Sequence, residues 1–213
     1  MKKQYIVFGM DRFGISVAKS LAKEGLQVIA VDKHADRIQA IANDVSYAMT
    51  ADATDMEVID GLGLENVDGV VITMADNMDA SIVTTMACKE HGVETIIARA
   101  KNEIHGRILE KLGASRVVYP EREMGERIVH YLTARDFTDW IDLSPEYSLV
   151  EMPVPAAWVG KSLHSLELRQ KFGLNIVGIR RGEKMEMQFP PKEPLEKDMI
   201  LYVIGKNTQL EQL

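Results

Sequence analysis

The sequence has a single cysteine, Cys88, in 213 residues. That excludes an internal disulfide framework and fits a reducing compartment. No apolar stretch reaches the roughly twenty residues that a bilayer crossing requires. The opening Met1-Lys2-Lys3-Gln4-Tyr5 leads into an apolar run too short for a signal peptide before Asp11 and Arg12 interrupt it. A cytoplasmic chain is expected, reaching a membrane only through a partner. Basic residues are outnumbered, 25 Lys and Arg against 32 Asp and Glu, for a formal charge of −7. Phosphate-backbone binding needs a dense basic face, so no nucleic acid is expected as a partner. The histidines, His34, His91, His105, His130 and His164, show no ligand spacing, which leaves metal catalysis without support.

What is present is a regular alternation. Short β-branched runs at 5–8, 27–31, 45–50, 69–73, 95–98 and 116–119 are separated by helix-period segments at 13–24, 35–43, 57–62, 77–91 and 103–112. Gly25, Gly92 and Gly113 follow three of the helices as C-caps. Strands apolar throughout, separated by helices, predict an α/β fold: a Rossmann-type, doubly wound parallel sheet of six strands over residues 1–120. The pattern changes after Pro120. A helix is expected over 121–135 within a helical connector and dimerisation segment, 121–143. A small α+β lobe is expected over 144–213, with strands at 148–154, 175–180, 183–188 and 199–204, a hairpin turn at Arg181-Gly182 and one helix over 162–171.

Chemistry concentrates after the first strand. Gly9-Met10-Asp11-Arg12-Phe13-Gly14 stands where a dinucleotide fingerprint G-x-G-x-x-G stands, and Asp32 ends the second strand 23 residues after Gly9. A helix N-terminus there offers unpaired N–H groups and a positive dipole end to a phosphate, and the acidic residue accepts from ribose hydroxyls. Asp11 replaces the second glycine, where backbone should approach pyrophosphate. Its side chain is expected to obstruct, and its charge to repel a phosphate by about 4 kcal/mol at ~4 Å before screening.

The same residues carry a family resemblance. Arg12-Phe13-Gly14 after the first strand and Ala51-Asp52-Ala53-Thr54 resemble the cytoplasmic regulators of bacterial potassium uptake, the Ktr/Trk proteins built from RCK domains (TrkA-N plus TrkA-C). The likeness runs on through Ala75-Asp76-Asn77, Arg99-Ala100-Lys101-Asn102, Leu109-Glu110-Lys111-Leu112-Gly113-Ala114, Tyr119-Pro120-Glu121 and Ile141-Asp142-Leu143-Ser144. It ends with Lys161-Ser162-Leu163 and Leu168-Arg169. It covers essentially the whole chain and is strongest toward the Ktr type.

The resemblance implies a non-enzymatic gating subunit. Dimers would assemble into an octameric ring beneath an integral-membrane, K⁺-translocating partner, and the chain would be peripheral to the inner face of the membrane. It implies an adenine nucleotide, ATP, ADP or NAD(H), in the first lobe. Gly9, Asp11, Arg12, Phe13 and Gly14 would form the phosphate loop, with Arg12 addressing the terminal phosphate. Asp32 and Lys33 would sit at the ribose, Asp52, Ala53 and Thr54 at the adenine, and Ala75, Asn77 and Arg99 would complete the cleft. Glu121 would hold a divalent or monovalent cation at a subunit interface. In the second lobe the resemblance implies cyclic di-AMP at Leu163, His164, Leu168, Arg169, Asn175, Ile176 and Pro191, where apolar side chains flank purines and Arg169 and Asn175 supply donors.

The alternative from another class is a small NAD-dependent oxidoreductase. Such an enzyme needs an acid or base from its substrate domain near the nicotinamide, and the second lobe offers only His164. A DNA-binding redox repressor would need a basic helix-turn-helix, which is absent. Cys88 reads as a small buried hydrophobe and the twelve methionines as core and interface filler. Tyr131, Phe137, Trp140 and Ile141 read as an apolar subunit interface.

Overall fold

The structure, a computed structural model, describes residues 2–133, 137–210 and 212–213. It divides into two compact units, Met1–Pro120 and Glu121–Leu213.

The first unit alternates strands and helices: β1 Gln4–Phe8, α1 Arg12–Lys23, β2 Gln27–Asp32, α2 Ala35–Ile41, β3 Tyr47–Thr50 and α3 Met56–Gly61. After a short 3₁₀ turn come β4 Gly69–Ile72, α4 Met78–Glu90, β5 Ile96–Arg99, α5 Glu103–Lys111 and β6 Arg116–Val118. The strands lie parallel in the order β3-β2-β1-β4-β5-β6, the Rossmann order expected. Central β4 is buried at every residue while edge strand β3 is mostly exposed, because only interior strands have both faces covered. Ile6, Phe8, Ile72 and Ile96 are fully buried in one cluster. Each such burial contributes about 1.5–3 kcal/mol. Helices begin where a short polar side chain satisfies an orphan N–H: Asp11 accepts from Gly14, Asn77 from Ala80 and Asn102 from His105. Gly25, Gly92 and Gly113 follow α1, α4 and α5 at φ of 78°, 81° and 107°, as expected of C-caps.

The second unit opens with α6, Pro120–Thr133. It continues through β7 Asp139–Asp142, β8 Tyr147–Pro153, α7 Leu163–Leu166, α8 Leu168–Phe172, β9 Asn175–Arg181, β10 Lys184–Glu186, β11 Met199–Lys206 and α9 Asn207–Leu210. Its sheet is antiparallel in the order β10-β9-β11-β8-β7. In β11 buried and half-buried residues alternate from Met199 to Gly205, the period-two pattern of a sheet with one face on a core.

Three expectations need correcting. The helix expected over 162–171 is two short helices, broken at Glu167, whose φ is 50°. The stretch before Leu143 is not wholly a helical link, because Trp140 and Ile141 pair with Val150 and Leu149 as strand β7. Phe137 and Trp140 are consequently not a surface pair. Their rings meet edge to face at 5.4 Å, Trp140 is 4% exposed within the second core, and its indole donates to Asp142 at 2.8 Å. The side chain of Tyr131 lies outside the described ones; Ile141 is exposed. Residues 134–136, including the end of the helix expected to reach Arg135, also lie outside the described residues. Cys88 is fully buried, and burial pushes its thiol up to about 12.

Candidate functional site

The carboxyl ends of β1, β2, β3 and β4 surround a cleft of about 280 Å³. It lies where the strand order reverses between β1 and β4, the point at which open α/β sheets take ligands. Of the residues expected there, Gly9, Asp11, Asp32, Lys33, Asp52, Ala53 and Asn77 line it. Val31, His34, Arg37, Ala51, Met74, Asp76 and Ala80 join them. The walls near β2 and β3 are apolar (Val31, Ala51, Ala53), while four carboxylates, Asp11, Asp32, Asp52 and Asp76, share the rim with Lys33 and Arg37.

Two glycines shape the turn after β1. Gly9 has φ of 93°, and a Cβ there would come within 2.7 Å of Thr73 Oγ1, which donates to the Gly9 carbonyl at 2.8 Å. A Cβ on Gly14 would stand 2.0 Å from that same carbonyl. Close packing of α1 on β1 therefore demands glycine at both ends of the motif.

Asp32 is the hub of the cleft. Its carboxylate accepts from the Met10 amide at 2.6 Å, the His34 amide at 2.8 Å and the Arg37 guanidinium at 3.4 Å. The His34 ring lies 2.8 Å from it. Burial raises its pKa, but the hydrogen bonds and the Arg37 charge outweigh burial and leave the carboxyl below its ordinary value. Sequence reasoning missed His34 and Arg37. The signal available was their spacing, two and five residues beyond Asp32 around the start of α2. Asp52 accepts from both the amide and the hydroxyl of Thr54 at 2.9 and 2.8 Å, which lowers its pKa. Thr54 is thereby turned to Asp52, and neither it nor buried Ala75 lines the cleft.

Asp11 lines the cleft, and its carboxylate has partners within the chain. Asp11 caps α1, accepting from the Gly14 amide at 2.8 Å, and it forms an ion pair with Arg99 at the end of β5. The Arg99 guanidinium lies 5.8 Å from the Phe13 ring centroid, within cation–π range. Arg12 is exposed at the first turn of α1 and stands outside the cleft lining, as do Phe13, Gly14 and Arg99.

The second unit holds its own hollow, of about 230 Å³. Leu163, His164, Leu168, Arg169, Asn175, Ile176 and Pro191 all line it, with Glu167, Gln170 and Leu174. The His164 amide donates to the Pro191 carbonyl at 2.8 Å and the Leu174 amide to Leu168 at 3.2 Å, which ties the two short helices to the walls around them. Glu121 is exposed in the first turn of α6. Among the described residues no group of three or more His, Cys, Asp or Glu side chains is placed to hold a metal ion, and no helix is long and apolar enough to cross a membrane.

The TrkA-N domain model matches residues 5–120 and the TrkA-C domain model residues 148–213. The chain belongs to the TrkA-N/TrkA-C family. It is similar to Ktr system potassium uptake protein C of Bacillus subtilis (strain 168), with 40% identity over 212 residues, all of this chain and 96% of that protein. It is also similar to Ktr system potassium uptake protein A of Vibrio alginolyticus, with 32% identity over 208 residues, covering 98% of this chain and 94% of that one. Among solved structures it resembles the GsuK channel bound to NAD, with a TM-score of 0.64 and 21% identity over 99% of this chain and 38% of the channel's. That likeness establishes the fold. Between the two family matches lie β7 and all of α6 except its first residue, Pro120.

Proposed function

We propose that this chain is a cytoplasmic, ligand-sensing regulatory subunit of a potassium-uptake system. The observation that carries the reading is the 40% identity to a Ktr potassium uptake protein over the full chain. The cleft at the sheet's switch point supports it physically: apolar walls suit a base, and Asp32 at the end of β2 would accept from ribose hydroxyls. The first unit would take an adenine nucleotide, ATP, ADP or NAD(H). The hollow of the second unit would take cyclic di-AMP, with Arg169 and Asn175 as donors. Glu121 would contribute to a cation site completed by a second subunit. A regulator needs only that each ligand prefer one of two conformations of the assembly.

The partner side of the reading is a homo-oligomer, dimers built into an octameric ring, docked on an integral-membrane K⁺-translocating protein. Met124, Ile128, Val129 and Leu132 on α6 are 48–79% exposed, an apolar stripe of the kind that marks subunit contacts. A domain division at 1–120, 121–143 and 144–213, with the middle segment serving dimerisation, belongs to the same proposal.

Calorimetric titration of the full chain with ATP, ADP, NADH and cyclic di-AMP tests it. Independent saturation by one adenine nucleotide and by cyclic di-AMP is expected. Binding of neither would sink the sensor reading. NADH oxidation with carbonyl substrates at an enzymatic rate of about 1 s⁻¹ or more would favour an oxidoreductase instead.

A further inference from the structure

A phosphate at a glycine-rich turn is held by the unpaired N–H groups of the helix N-terminus and by a neighbouring cation. In this chain one side chain already engages one of those N–H groups and the cation. Asp11 Oδ1 accepts from the Gly14 amide at 2.8 Å, and its other oxygen pairs with Arg99. Arg99 is anchored besides by the Thr73 carbonyl at 3.4 Å and by the ring of Phe13. The Asp11 side chain is about a quarter exposed and stands in the cleft wall, so a ligand meets this carboxylate directly.

We propose that Asp11 is a resident stand-in for a ligand phosphate, and that the cleft consequently ranks adenine nucleotides by charge: AMP ahead of ADP, and ADP ahead of free ATP. This rests on the reading of the cleft as an adenine-nucleotide site. An entering phosphate must break the pair with Arg99 or lie beside the carboxylate, and every added phosphate brings more negative charge near Asp11 and Asp76. The ribose and base make the same contacts in all three ligands. Of the rim cations, Arg37 is already directed at Asp32 and Lys33 acts on Asp52, so the cation paired with Asp11 is Arg99. A divalent cation bridging Asp11 and phosphate removes the repulsion, so the ranking is steepest without one.

The test is calorimetry of the full chain with AMP, ADP and ATP, each in EDTA and in Mg²⁺. In EDTA the dissociation constant is expected to rise with each phosphate, by about tenfold or more from AMP to ATP, with a smaller spread in Mg²⁺. Asp11→Gly should tighten ATP by about tenfold, tighten AMP less, and level the ranking. Asp11→Asn keeps an acceptor for the Gly14 amide without the charge. It should act in the same direction, which covers a glycine variant whose turn fails to form. ATP bound by the unmodified chain as tightly as AMP in EDTA, or a ranking untouched by both substitutions, overturns the charge filter and leaves the nucleotide site standing. No adenine nucleotide binding to the chain or to either variant, all folded by circular dichroism, overturns the site and the filter together.

Discussion

The Met10 amide donates to Asp32 at 2.6 Å, joining the turn after β1 to the end of β2. This bond makes the acidic residue structural as well as cleft-lining. The second link is the His34 amide on the same carboxylate at 2.8 Å, so one buried side chain sets both the turn before α1 and the entry to α2. Two loops therefore depend on the position of this one carboxylate.

Asp32→Asn should accordingly lower stability by about 2 kcal/mol, since a buried amide donor loses its charged acceptor. The native carboxyl is held below its ordinary pKa. Its contribution is then complete above the unfolded value of about 3.9 and is lost as pH falls through the lower native value. Melting temperatures from pH 7 down to pH 3 check this. The variant should melt lower at neutral pH and lose less on acidification, and parallel curves would show that Asp32 is not a source of the acid limb.

His91 works in the opposite direction. It follows α4, with one ring nitrogen 2.8 Å from the Ala87 carbonyl and the other 3.0 Å from Asp60. The Ala87 carbonyl and then Asp60 raise its pKa. Stability from this group is complete below the ordinary histidine value of about 6.5 and is lost as pH rises through the higher native one. His91→Gln should flatten the fall in melting temperature between pH 6 and pH 8, and an unchanged slope would count against the assignment.

The first unit was legible because its signals are local. The run Gly69–Ile72 is apolar at each side chain, as a strand covered on both faces must be, and Asn77 and Asn102 announce the helices they cap. Asp11 was legible as an exception but not in its role, since its partner Arg99 lies 88 residues away at the end of β5 and no local pattern reports a pair made across the intervening strand β4. The break at Glu167 was hidden because a non-glycine residue with positive φ leaves no mark in composition. Trp140 misled because a four-residue strand is too short to show alternation. Its aromatic surface reads as an interface until β8 supplies the partner Val150. The lining of the second hollow was found only through the family resemblance: apolar residues at that spacing are indistinguishable from core until the chain closes around them.

Oligomerisation should depend on α6. Ile128 and Leu132 are 48% and 79% exposed in the single chain, so lysines there should leave the fold within about 0.5 kcal/mol. A double variant, Ile128→Lys with Leu132→Lys, should elute as a smaller species by light scattering while keeping its circular dichroism spectrum. An unchanged mass would remove α6 from the assembly interface.

Composition treats Gly14 and Gly25 alike, but their surroundings do not. A methyl group on Gly14 would stand 2.0 Å from the Gly9 carbonyl in the turn after β1 and 2.8 Å from Thr73 Oγ1 at the end of β4. The backbone carbonyl cannot rotate away without losing the Thr73 hydroxyl bond at 2.8 Å, so α1 must lift from the sheet. Gly25 differs: its φ is 78°, yet nothing lies within 4 Å of a Cβ there. Gly25→Ala meets only backbone strain, of about 1–2 kcal/mol. Gly14→Ala meets overpacking with no room to relax, about 3 kcal/mol or more, together with loss of nucleotide binding. Urea unfolding of the two variants side by side checks the order. Equal destabilisation, or nucleotide binding retained by Gly14→Ala, would mean that the turn is far more pliable than its contacts require.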